Sequence, residues 1–150
     1  MSDLSCVCVC VRVSGFSCVC VCVWCRAFNN EQASAGYAND IWGWTSTPSL
    51  THSHTQEIAI VGCSTGTSFV DITDPLRPHY VGFLRATHSH SYWRDMKVYG
   101  DYVYVGSESS RHGVQVMYLG SVSEDALANK TGIVYSATHV YYGVGECGSE

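Results

Sequence analysis

The stretch Ser107-Glu108-Ser109-Ser110-Arg111-His112 sets a carboxylate and an imidazole four residues apart, with His88 upstream in Thr87-His88-Ser89-His90. His88, Glu108 and His112 are the ligand types of a zinc centre, or the acid and base of a hydrolase. A zinc site needs three or four convergent ligands with a supporting shell, and spacing alone shows no convergence. His52 and His54 repeat the His-x-His pattern, which reads equally well as a solvated loop. The serines beside His112 suggest a nucleophile and its base, but no strand–Ser–helix elbow surrounds them. No catalytic residue is assigned.

A second set sits at the head of two apolar runs. Asp40 opens Asp40-Ile41-Trp42-Gly43-Trp44, and Asp95 opens Asp95-Met96-Lys97-Val98-Tyr99. Acids there could hold a cation through oxygen ligands, or accept backbone N–H groups at a strand end. Trp93-Arg94-Asp95 joins a flat ring, a fork-shaped donor and an acceptor, a combination suited to a sugar or a peptide carboxylate. The structural alternative is packing of Trp42, Trp44 and Trp93, with Arg94 paired to an Asp. Asn129-Lys130-Thr131 is a glycosylation sequon.

Thiols form the third set. Seven of the nine cysteines precede residue 26, in a Cys/Val alternation running from Cys6 to Cys25. Strict alternation suits a hairpin with cysteines on one face and valines on the other. Cys-x-Cys spacing also resembles metallothionein clusters, though structural zinc favours wider spacing. A signal peptide is a poor fit, because Asp3 precedes the apolar run and Arg12 interrupts it. A TG dinucleotide repeat in the message also translates as Cys-Val. Each of Arg12, Gly15, Phe16, Ser17 and Trp24 lies one base from such a codon. The translated repeat is the favoured reading, so residues 1–27 are set aside as low-complexity sequence and 28–37 as a linker.

These side chains must be positioned by strands. From residue 38 the chain is rich in Tyr, Val, Thr, Ser and Gly, a composition of strands and turns. The pattern predicts strands at Ile41–Trp44, Glu57–Val61, Thr67–Ile72 and His79–Leu84. A second set is predicted at Asp95–Tyr99, Tyr102–Gly106, Val114–Leu119 and Ile133–Ser136. Gly100-Asp101 reads as a tight hairpin, and Pro75 and Pro78 mark a turn. Ser121-x-x-Glu124 reads as the capping box of a short helix. The two sets align, with Gly62 matching Gly106 and Gly66 matching Gly113, and with starts 55 residues apart (Asp40 to Asp95). The first unit carries an apparent insertion, "TPSLTHSHT", and repeats of four short strands at roughly 40 to 50 residues point to a propeller.

The phrases "NDIWGW", "VGCSTGTSFVDITDPLRPHYVGFL" and "WRDMKVYGDYVYVGSESSRHGVQV" resemble the choice-of-anchor B family of LVIVP-repeat proteins, over residues 38 to 142. The resemblance implies an extracellular or cell-surface β-propeller with no established catalytic activity. Family members are longer, so the chain is expected to be an N-terminal portion. The expected fold is all-β: an incomplete propeller over 38–150, with four-stranded units near 38–86 and 87–136 and a third beginning at 137. Two blades leave an apolar face bare at each end, to be covered by missing blades or self-association.

The functional expectation is a non-catalytic binding or scaffolding module. Asp40, Trp42, Trp44, His88, Trp93, Arg94, Asp95, Glu108 and His112 are its candidate ligand contacts, and Asn129 its candidate glycan site. Its partner is expected to be a protein or a carbohydrate. The alternative is a metal-dependent hydrolase on the same frame. No cofactor is assigned beyond the cation that Asp40 and Asp95 could hold in a central channel. The formal net charge of −5 and the lack of a basic stripe disfavour nucleic acid. No apolar run reaches the length of a spanning helix.

Overall fold

Alternating side chains on a pleated backbone dictate strands along most of this chain. The computed structural model describes residues 7–13, 17–23, 38–48 and 55–142. Within them the chain is mostly β, with one short helix and no closed sheet. Strands β1 (Val7–Val13) and β2 (Ser17–Val23) pair antiparallel, Val7 opposite Val23 and Cys8 opposite Cys22, as a sheet of their own. The backbone of the Cys/Val block thus follows its strand reading.

The first large sheet is an antiparallel meander of β3 (Ala38–Thr45), β4 (Glu57–Cys63), β5 (Gly66–Asp71) and β6 (His79–Arg85). The second contains β7 (Arg94–Tyr99), β8 (Tyr102–Ser107) and β9 (Val114–Tyr118). Gly100 adopts φ +57 between β7 and β8, the left-handed conformation that a two-residue hairpin requires. Asp71 and Asp74 accept backbone N–H groups in the turn that carries Pro75.

Helix α1 (Gly120–Leu127) follows, but the expected capping box is not made. The helix starts from Leu119, whose carbonyl accepts Val122 N–H at 3.0 Å, so Ser121 already lies inside the first turn. Two strand assignments also differ from the sequence reading. β10 (Ile133–Tyr135), expected to complete the second unit, pairs in parallel with β6 of the first sheet. Its Tyr135 packs edge-on against Phe69 and donates to Asp125 Oδ2 at 3.0 Å, which holds the strand there. β11 (His139–Tyr141), expected to open a third unit, is instead the fourth strand of the second sheet, antiparallel to β9.

The main core lies between the sheets. Ile58, Ile60, Phe69, Val81 and Leu84 of the first meet Met96, Val103, Val105 and Met117 of the second, with Leu119, Val122 and Ala126 alongside. A second cluster, Ala59, Val61, Cys63, Val70, Ile72 and Phe83, occupies the back of the first sheet and is also buried. Among the described residues, the two expected bare faces are thus unequal. The back of the first sheet is closed within the chain, whereas the outer face of the second is open.

Gly62 marks a close approach of the two sheets. A Cβ there would lie 2.5 Å from the carbonyl oxygen of Arg94, on the neighbouring sheet's backbone. Its sequence counterpart Gly106 has nothing within 4 Å of the same position. Gly62→Ala is expected to lower stability by about 2–3 kcal/mol, because backbone must move. Gly106→Ala is expected to change it by less than about 0.5 kcal/mol. Urea midpoints of the two variants provide the comparison, and equal midpoints would contradict the packing.

Candidate functional site

The edge where β3 and β7 run side by side gathers most of the selected residues. Asn39 Oδ1 accepts the Arg94 N–H at 3.0 Å. Asp40 accepts from Ile41 N–H at 2.8 Å through one oxygen and from Met96 N–H at 3.3 Å through the other. Both Asp40 oxygens thus face backbone donors, the structural alternative weighed above. Asp95 is exposed, on the outer face of the second sheet, and Arg94 and Met96 point the other way. Trp42 is partly exposed, with Lys97 Nζ 4.1 Å from its ring centroid, a cation–π contact. Trp44 is a core residue, 8% exposed. Trp93 is exposed, and its carbonyl accepts from Ser91 Oγ at 2.8 Å.

Arg94 is wholly buried, 0% exposed. Its Nε donates to the Cys63 carbonyl at 2.9 Å, and its Nη1 to His112 Nε2 at 2.7 Å. An Asp partner, one of the sequence expectations, is not among these contacts. Nη2 is buried with no hydrogen-bond partner among the described residues, and Thr65 Oγ1, Thr67 Oγ1 and Gln115 Oε1 share that condition. Burial lowers the Arg94 pKa to about 10.

The contact decides the state of His112. A guanidinium can only donate, so Nε2 must be the acceptor and the ring proton sits on Nδ1, which donates to the Gly113 carbonyl at 2.9 Å. Burial, and then the Arg94 charge, push the His112 pKa down against that Gly113 bond. A neutral imidazole with its lone pair engaged is not disposed to bind metal or take a proton. His88 is exposed, its Nδ1 2.6 Å from the Thr87 carbonyl, and Glu108 is exposed on its loop. Among the described residues no three of His, Cys, Asp or Glu gather as metal ligands. His52 and His54 lie outside the described residues.

Asn129 is exposed, at φ +52, just past the helix end. It borders a polar cleft of about 570 Å³, shared with Gln56, Asp71, Thr73, Asp74, Arg77, Pro78 and His79. The cleft's acids already have partners: Asp71 accepts from Thr73, and Asp74 from Leu76 and Arg77. Cys63 is disulfide-bonded. Sequence reasoning missed Asn39, Lys97 and the Cys63 carbonyl. Only the position of Asn39 beside Asp40 offered a signal, since a backbone carbonyl leaves none. No family model, curated protein or solved structure matches the chain.

Two outcomes follow from this node. The two charge-assisted bonds of Arg94 are worth about 3–5 kcal/mol together. Its drop in pKa to about 10 corresponds to a burial cost on the order of 3 kcal/mol. Arg94→Met is therefore expected to destabilise by only about 1–2 kcal/mol, read by chemical denaturation. A loss above about 4 kcal/mol would mean the balance is wrong.

The His112 pKa is lowered on folding, so its share of stability is complete above the unfolded value near 6.5. As pH falls below that value, the unfolded chain takes up the proton first and stability declines. His112→Gln is expected to flatten this part of the stability–pH curve. An unchanged slope in the variant would assign the acid sensitivity elsewhere.

Proposed function

We propose that this chain is a non-catalytic binding and scaffolding module, built from the opening units of a β-propeller of the choice-of-anchor B kind, extracellular or at the cell surface. The observation that carries this reading is the handling of one face in both sheets. On β4, Ile58, Ile60 and Gly62 form the face that receives β7. On β8, the aligned positions Tyr102, Tyr104 and Gly106 form the corresponding face, which stands open. Stacked sheets with aligned inner strands are how a propeller advances from blade to blade. The exposed sequon at Asn129 and the disulfide at Cys63 fit an oxidising, glycosylating route. Trp42 beneath Lys97 and the exposed Trp93 are the side chains best suited to a protein or carbohydrate partner. The engaged lone pair of His112 weighs against the metal-dependent hydrolase.

Expression through a eukaryotic secretory pathway tests the reading. The expected product is exported, loses mass on removal of N-glycans and binds no stoichiometric zinc. Asn129→Gln is expected to abolish the glycan-dependent mass change. An intracellular, unglycosylated product with one zinc per chain, lost in His88→Ala, would replace the proposal with the hydrolase.

A further inference from the structure

We infer that the open face of the second sheet is the surface by which two copies of this chain pair as an isologous dimer. The inference rests on the reading of the two sheets as an unclosed stack.

The register assembles the face in three rows. Tyr99 lies opposite Tyr102, and Tyr102 opposite Tyr118. The next row is Lys97, Tyr104, Val116 and His139, with Val116 itself only 7% exposed among its neighbours. In the third, Asp95 lies opposite Gly106 on one side of the sheet, and Val114 opposite Tyr141 on the other. All of these point away from Met96, Val103, Val105 and Met117 in the core. Tyr99, Tyr102, Tyr104, Tyr118 and Tyr141 keep between 38% and 82% of their surface exposed.

At the usual size of an aromatic side chain, those tyrosines alone leave roughly 500 Å² open, at the upper end of the patch an ordinary monomer carries and of the size that is often functional. Val114, Lys97, Asp95 and His139 bring the patch toward the ~800 Å² that each partner buries in an interface of standard size. Tyrosine also suits the role chemically, with a ring to bury and a hydroxyl to satisfy at the rim.

Two features select a second copy and its symmetry. Head-to-tail stacking would need the back of the first sheet, but Ala59, Val61, Cys63, Val70, Ile72 and Phe83 there are already buried. Pairing must then be face to itself, which requires a two-fold axis. An axis crossing β7 at Met96 exchanges residues 95 and 97, setting each Lys97, once its ammonium swings off the Trp42 ring of its own chain, against the other copy's Asp95. On β8 the same operation lays Tyr104 over the other copy's Gly106, the position on this face with no side chain.

Sedimentation equilibrium of the purified 150-residue chain, over a wide concentration range, is the test. The expected result is a reversible dimer that Asp95→Lys or Lys97→Asp alone weakens about tenfold or more. The double exchange D95K/K97D is expected to restore it. A wild-type monomer at the highest soluble concentration overturns the inference. A dimer indifferent to both single charge changes does the same, since another surface would then be responsible. Amide exchange on β4 and β8 in the same samples reports on the stack. Protection in a monomer sinks the dimer and spares the stack, whereas loss of protection removes both.

Discussion

A guanidinium held out of water, with no carboxylate beside it among the described residues, sets the terms for the rest of this structure. Arg94 stands at the start of β7, where its backbone lies close against Gly62 of the first sheet. Its charge is spread over neutral acceptors, the Cys63 carbonyl and the His112 ring. That choice propagates. His112 must stay neutral with its proton on Nδ1, and position 62 must lack a Cβ. The backbone of β7 must also be fixed from the other side, by Asn39 and Asp40. Residues that look like chemistry in sequence are spent on holding two sheets at a set distance.

The sheets end up unequal. The first is buried on both faces, and Ile58, Ile60 and Phe69 on one side and Val61, Val70 and Phe83 on the other are shielded from water. The second contributes only one face to the core, although its outer face carries as many large side chains as the inner. This asymmetry is what motivates the pairing proposed for that outer face. It also separates the two positions that a repeat alignment equates, because Gly62 meets a neighbour and Gly106 meets none.

How far the fold could be read in advance depended on the range of the controlling interaction. Period-2 alternation and local turn chemistry located all nine strands of the two large sheets to within a few residues, along with the Gly100 hairpin. The capping box at Ser121 failed because the helix was started by Leu119 packing into the core, which outweighs a local side-chain bond. The placement of Ile133–Tyr135 failed because Phe69 and Asp125 capture Tyr135 from distant segments. Of the candidate residues, the role of Asp40 as an acceptor of backbone N–H groups was one of the two readings open in the sequence. The separation of His88 and Glu108 from the buried His112 was not.

What the sequence determined by itself is the alternation, and with it the strands, their turns and which side chains share a face. Those follow from the geometry of a pleated backbone, which acts over two or three residues. What only the tertiary structure decided is which faces are covered. Ile58 and Tyr104 alternate in the same way, yet one is sealed in the core and the other faces solvent. The state of His112 was decided at the same level. Its proton and lone pair are assigned by Arg94, eighteen residues away in sequence and 2.7 Å away in space.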